Sequence, residues 1–368
     1  MPYGTLNVDK IVNDNGVTFA GLYGFKNRII NGAMVIDQRN AGASVAITTS
    51  DNYITDRFFG IVAANSKLTG QQNAGSVTPP AGYTNYLGMT VAAAANVTVG
   101  ASDVYSIGQQ IEGYNIADLA WGTASAASVT LSFWVRSSVT GTFGGSVRNS
   151  GATRSYPFTY AISSANTWEQ KSITIPGETS GTWLTNNGIG IRLLFGLGVG
   201  STLSGTAGAW ANANYVSATG AVKLIETNSA TFYITGVQLE KGSTATSFDY
   251  RPYGTELMLC QRYCLVYGEN AYTVFGNGYA FSTTGVTTIT YLPVEMRVIP
   301  TLTATGAQRV TDGAATTAIT AVALNTSNSS KKTIVVESTV ASGLTQYRPY
   351  YWSANNDSAA RVTFSSEL

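Results

Sequence analysis

Hydrophobic and polar residues alternate with a period of two along most of this chain. Val129, Leu131, Phe133 and Val135 mark one face of a strand, and Ile173 and Ile175 follow Trp168 in another. Ile189, Ile191, Leu193 and Phe195 keep the same period. Phe232 and Ile234 open a further strand, in which Gly236 predicts a bulge. Closer to the C-terminus, Ile289 with Tyr291, Ile334 with Val336, and Val362 with Phe364 predict three more. The segments between them are rich in Gly, Ser, Thr and Asn, the residues that make tight turns. Many short strands without a convincing long helix predict an all-β chain built as a sandwich or jelly roll. No repeat of 20 to 50 residues is visible, which argues against a β-helical shaft.

Helical spacing is confined to Thr255–Tyr267, where Leu257, Cys260 and Cys264, with Tyr263 and Tyr267, recur along one side. Pro252 and Gly254 precede it, and Thr255 is the expected N-cap. So short a helix is marginal alone. It packs either on its own β domain or near the axis of an assembly. At the other end, Leu6 and Val8 alternate and Asp14-Asn15-Gly16 is a hairpin signal. An arm this small cannot bury its own apolar residues and is expected to pair with a larger assembly. The chain therefore divides into an N-terminal arm (1–26), a β domain (27–250), a helical linker (251–269) and a C-terminal β domain, expected to be a second β-sandwich (270–368).

Composition narrows the chemistry. The 368 residues suffice for two or three domains with real cores. Charged residues make up only 11% and the net charge is +1, which leaves no electrostatic footprint for nucleic acid or an anionic membrane. There is no histidine, so histidine-based acid–base catalysis, nucleophilic triads and metal ligation are excluded. No cofactor is implied. The opening Met-Pro-Tyr-Gly-Thr-Leu-Asn-Val shows no signal-peptide pattern, and no apolar run approaches the roughly 18 residues that would span a bilayer. The expectation is a soluble protein. Cys260 and Cys264, the only cysteines, read as buried small hydrophobes. Asn325-Thr-Ser327 and Asn328-Ser-Ser330 match glycosylation sequons but read as a loop before the strand Lys332–Glu337.

An enzyme would have to work through carboxylates. Asp103, Glu112, Asp118, Glu169 and Glu178 lie in the first β domain, none in a diagnostic spacing for glycoside hydrolysis, so no catalytic residue is named. Sugar binding needs aromatic faces beside hydrogen-bonding side chains. Alternation sends Trp134 and Arg136 to the face opposite Leu131, Phe133 and Val135, and Arg192 to the non-core side of its own strand. These three are candidates for a ligand platform, against the alternative of a second packed layer. Tyr347-Arg-Pro-Tyr-Tyr-Trp352 followed by Asn355-Asn-Asp-Ser is a second aromatic cluster. It gives Tyr350, Tyr351, Trp352, Asn355 and Asp357 as contact candidates. Tyr350 and Trp352 share one face and Tyr351 takes the other, so one side is expected in a core or interface. Pro349 suggests an edge strand.

Two blocks carry a family resemblance. Asn27-Arg-Ile-Ile-Asn-Gly-Ala-Met-Val-Ile-Asp-Gln-Arg-Asn resembles the opening of many bacteriophage tail-fibre and virion structural proteins, with Ala33 where an acidic residue is usual. Phe232-Tyr-Ile-Thr-Gly-Val-Gln-Leu-Glu-Lys-Gly with Phe248-Asp-Tyr-Arg-Pro-Tyr-Gly-Thr-Glu-Leu resembles a junction in the same proteins. Leu131-Ser-Phe-Trp-Val-Arg-Ser and Trp168-Glu-Gln-Lys-Ser-Ile-Thr-Ile-Pro-Gly add a likeness to carbohydrate-binding-module jelly rolls over roughly residues 100 to 250. Tyr291-Leu-Pro-Val-Glu-Met-Arg-Val-Ile-Pro-Thr is similar to a strand pair in phage-fibre C-terminal domains. The resemblance implies a jelly-roll β-sandwich in a virion tail fibre or receptor-binding protein, assembled in the host cytoplasm. It implies a homotrimer, anchorage to other tail or baseplate proteins through the arm, and attachment to a host cell-surface glycan. A head-decoration or baseplate protein is the alternative, and a polysaccharide-degrading enzyme a weaker one. Calcium is compatible with such modules, but no metal ligand is named.

Overall fold

The computed structural model describes residues 25–49 and 51–368. The expected arm, with Leu6, Val8 and the Asp14–Gly16 hairpin, thus lies outside the described residues except for its last two positions.

The strands of the first domain are β1 (Val45–Ala46), β2 (Asn52–Thr55), β3 (Phe58–Val62), β4 (Leu68–Gln72), β5 (Leu87–Val91), β6 (Val104–Glu112), β7 (Val129–Ser137), β8 (Gly141–Arg148), β9 (Ser155–Ile162), β10 (Glu169–Ile175), β11 (Ile189–Val199), β12 (Ser204–Gly205), β13 (Ser217–Ala218) and β14 (Thr231–Lys241). Twelve of them form two six-stranded antiparallel sheets, ordered β1-β4-β5-β14-β7-β10 and β2-β3-β6-β11-β8-β9, and β12 pairs in parallel with β13 outside both. The result is the expected jelly-roll-like sandwich. Leu131, Phe133, Val135, Leu193, Phe195, Phe232 and Ile234 all point between the sheets into one core, each at most 1% exposed. Complete burial of a side chain of this size contributes about 1.5–3 kcal/mol, and the period-two pattern fixes the register because a one-residue slip would turn every one outward.

Gly236 makes the expected bulge. It sits at φ +61°, and the β14–β7 register shifts between Thr235 and Gln238. A Cβ there would lie 2.5 Å from the Tyr83 hydroxyl, so glycine answers both a left-handed backbone and a close approach.

The helix α1 (Tyr253–Gln261) is shorter than the expected Thr255–Tyr267. Pro252, not Thr255, occupies the N-cap, and no side chain caps it. Cys264 and Tyr267 belong instead to the strand β15 (Cys264–Tyr267), whose pairing overrides the local helical spacing. Glu256 and Cys260 face inward on α1, with Tyr263 just beyond it, against Ile30 and Ile36.

The C-terminal domain adds β16 (Val274–Ala280), β17 (Gly285–Tyr291), β18 (Thr301–Thr305), β19 (Gln308–Thr311), β20 (Thr316–Leu324), β21 (Thr333–Val340), β22 (Pro349–Ala354) and β23 (Arg361–Ser365). Its strands do not open as the expected sandwich. Six close into a barrel, β16-β17-β21-β20-β19-β22, beside a three-stranded sheet β15-β23-β18. Alternation alone is the same in both architectures. Closure also leaves β22 paired on both sides, so Pro349 marks the first residue of a strand and not an edge. In β17 the inward residues are Val286, Thr288 and Thr290, while Ile289 and Tyr291 point out. The two buried threonines hold that orientation because their hydroxyls donate to the carbonyls of Val336 and Phe275.

Candidate functional site

The two blocks that carry the family resemblance meet at the junction of the domains. The Asn27 side chain accepts from the Ile29 and Leu239 amides and donates to the Val237 carbonyl. Asp249 accepts from the Asn27 amide, and Arg251 donates to the Asn27 and Ile29 carbonyls and pairs with Glu256. Asn31 braces Ile36 and Asp56, while Gln38 reaches Asp56 and the Cys264 carbonyl. These residues wire sandwich, helix and C-terminal sheet together, so the blocks are scaffold.

The carboxylate candidates are likewise engaged. Burial alone would raise the Glu112 carboxyl, but hydrogen bonds from Arg262 and Tyr263 more than offset it and hold it below the ordinary value. Glu178 is paired with Arg154, Glu169 with Lys171, and Asp118 with Arg28; Asp103 caps the Gly100 amide. Among the described residues no three acidic or thiol groups cluster as a metal site. Cys260 and Cys264 are buried and unpaired with each other, and burial pushes both thiols up, as small core residues should show.

The outer faces of the sandwich separate residues that sequence placed together. Trp134 and Arg136 lie on the outside of the first sheet, opposite Thr235 and Tyr233 of β14. Arg136 Nε donates to the Asn166 carbonyl (2.8 Å), and its guanidinium stands 5.3 Å from the Tyr233 ring centre. Tyr233 packs on Tyr86 (5.3 Å), and Tyr86 on Trp168 (5.6 Å). Arg136 is thus held against an aromatic layer of the protein itself.

Arg192 lies on the outside of the second sheet. Its cross-strand partners are Gln110 on β6 and Arg148 on β8, which gives a straight polar row across three strands. Gln110 and Arg148 are buried, Arg192 is half-buried, and Asp51 and Asn214 are exposed beside the row. Arg148 donates to the Asn214 side-chain carbonyl. Of the two Gln110 amide orientations, one accepts from Arg192 (3.3 Å) and donates to the Leu368 carbonyl, against a single long bond of 3.4 Å to Asp51 in the other. The first satisfies more groups. Sequence reading found Arg192 but missed Gln110, Arg148 and Asp51. The missing signal was register: Arg148 ends a Gly-rich strand with little apolar alternation, and only pairing aligns it with Arg192.

The C-terminal candidates divide by burial. Trp352 is fully buried in the barrel, its indole donating to Gln308 (2.8 Å), and Tyr350 is 5% exposed in the adjoining core. Neither can touch a partner, which corrects their reading as contact residues. Tyr351 points outward in a row with Asn277 and Ile289. That outer surface also shows Val274, Tyr279 and Tyr291, with Tyr347 and Phe281 at its end, all at least 42% exposed. Asn355 pairs its amide with the Ala307 carbonyl. Asp357 accepts from the amides of Ala307 and Ala359, which hold its carboxyl below the ordinary range, so it locks a turn.

No family model matches the chain, and no curated protein matches it in sequence. Among solved structures it is similar to the enzymatically active domain of bacteriophage CBA120 tailspike protein 4, with 13% identity over 59% of this chain and 22% of that one (TM-score 0.32). It is also similar to the carbohydrate-binding module TmCBM61 in complex with β-1,4-galactotriose (9% identity, 59% of this chain, 99% of that one, TM-score 0.29). A third is the family 11 carbohydrate-binding module of a cellulosomal cellulase of Clostridium thermocellum (10%, 54% and 97%, TM-score 0.26). The chain spans about a fifth of the tailspike it matches. The fold assignment rests on the strand topology itself.

Proposed function

We propose that this protein is a non-catalytic, glycan-binding virion protein of a bacteriophage, a tail fibre or receptor-binding protein that attaches the particle to the host surface. The main support is the row Gln110–Arg192–Arg148 on an outer sheet face, where the two guanidinium groups keep hydrogen-bonding capacity that the fold leaves unused. Such convergent planar donors suit sugar hydroxyls and acidic substituents. The engagement of each candidate carboxylate in a local bond supports binding without hydrolysis. The phage assignment and its tail location rest on the resemblance of the two sequence blocks.

In this reading the protein acts as a homotrimer held to the tail or baseplate through its N-terminal segment. The uncharged aromatic face of the barrel, from Val274 to Tyr291, supports self-association, and several copies would raise the avidity of a weak sugar site. The same exposed face also favours a second reading, a purely structural decoration or baseplate protein. Gold-labelled antibody on intact virions separates the two: label at the tail periphery is expected, and label spread over the head would overturn the attachment role. Binding of the full chain to an immobilised panel of bacterial envelope glycans tests the sugar reading, and absence of binding across the panel counts against it.

A further inference from the structure

The polar row poses a charge problem. Arg192 and Arg148 are direct cross-strand partners, and like charges in that relation destabilise a sheet. Burial sharpens the cost, since Arg148 is only 7% exposed. Burial and the Arg192 charge push the Arg148 guanidinium down to about 10, with Asp51 only partly countering them. Among the described residues neither arginine forms an ion pair within 4.0 Å. The Nε of each is buried without a partner, and so is the hydroxyl of Ser146, two residues from Arg148 on the same face. Buried donors left unmet in this way carry a free-energy cost. A cluster of such costs beside a like-charge pair is the kind of local violation expected at a functional site.

We propose that Arg148, Arg192 and Ser146 form an anion subsite, and that the glycan bound here bears an acidic group. The proposal rests on the glycan-binding reading above. Two guanidinium forks fixed side by side match the paired oxygens of a carboxylate or a phosphate, and each fork can bind bidentately. An anion between them supplies the missing counter-charge. Gln110 stands next to Arg192 and holds its guanidinium in place from the other side. Entry is from the side of Arg192, Asp51 and Asn214, where the row meets solvent.

The test is calorimetric titration of the full chain with glucuronate, glucose 6-phosphate and glucose at matched ionic strength. An acidic sugar should bind at least tenfold more tightly than glucose. Glucuronate ahead of the phosphate identifies a carboxylate ligand, and the reverse order a phosphorylated one. Arg192→Gln should weaken the acidic sugar at least tenfold while leaving the thermal midpoint unchanged or raised, because it relieves a like-charge pair. Arg192→Lys, which keeps the charge and loses the fork, should fall between. Equal binding of all three sugars would overturn the subsite and leave the glycan reading standing. So would binding to envelope glycans that Arg192→Gln does not alter. Failure to bind either the three sugars or any envelope glycan would overturn both.

Discussion

The Arg57 guanidinium lies 3.6 Å from the centre of the Tyr263 ring, with the side chain 1% exposed. One residue comes from the sandwich and the other from the turn that follows the helix. Arg57 also donates to the Gln110 carbonyl and pairs with Glu367, while Tyr263 donates to Glu112 (2.6 Å). Cation–π contact and buried ion pairs thus meet at the seam between the domains.

Removing the counter-charge should be costly. Glu367→Gln leaves Arg57 buried without its carboxylate, and breaking such a pair costs about 3–5 kcal/mol. Urea denaturation is expected to show that loss as a lower midpoint. An unchanged midpoint would mean that the seam contributes nothing to stability.

Asp56 gives the seam a pH dependence. Burial raises its carboxyl to about 6, and the bonds from Gln38 and the charge of Arg39 counter this only in part. The folded value lies above the ordinary 3.8, so the folded state holds the proton more tightly. This contribution is therefore full below about pH 4, is lost as pH rises through about 6, and amounts to on the order of 3 kcal/mol. Asp56→Asn should remove that decline. Urea midpoints of wild type and variant between pH 4 and 7 should diverge, with the variant gaining relative stability as pH rises.

Gly236→Ala should destabilise more than Gly208→Ala. Both glycines have positive φ, so both substitutions strain the backbone by about 1 kcal/mol. A methyl at 236 also meets the Tyr83 hydroxyl, and Tyr83 is wedged against Phe248 and Tyr250, whereas a methyl at 208 meets nothing within 4 Å. Differential scanning calorimetry is expected to rank the midpoints accordingly; equal midpoints would show that Tyr83 yields freely.

Ile289→Lys combined with Tyr291→Lys should reduce self-association while changing unfolding stability by no more than about 0.5 kcal/mol, because both side chains are exposed. Light scattering at several concentrations reads the mass. A wild-type mass of one chain at every concentration would refute an interface on this face.

Much of the sandwich was legible because its core residues are large, apolar and spaced by two, as at Leu131–Val135 and Ile191–Phe195. The bulge at Gly236 was legible for the same reason, since a lone glycine interrupts such a run. Beyond that, alternation ran out. It cannot tell a barrel from a sandwich, because closure is a matter of which strands pair. It did not tell which face of β17 turns inward, where Thr288 and Thr290 are buried because their hydroxyls find carbonyls. It ended α1 too late because Cys264 keeps helical spacing while pairing with Ser365 in a sheet. The arginine row escaped for a related reason: Arg148 and Arg192 stand 44 residues apart in the numbering, and only strand order makes them neighbours.

The pairing of Arg57 with Glu367 spans 310 positions of the chain. During synthesis the cation is made early and its partner late. Any product released before residue 367 holds an arginine that can neither reach water in the folded form nor find a counter-ion. A chain cut before Glu367 would therefore carry the full cost of a buried, unpaired cation more than three hundred positions upstream.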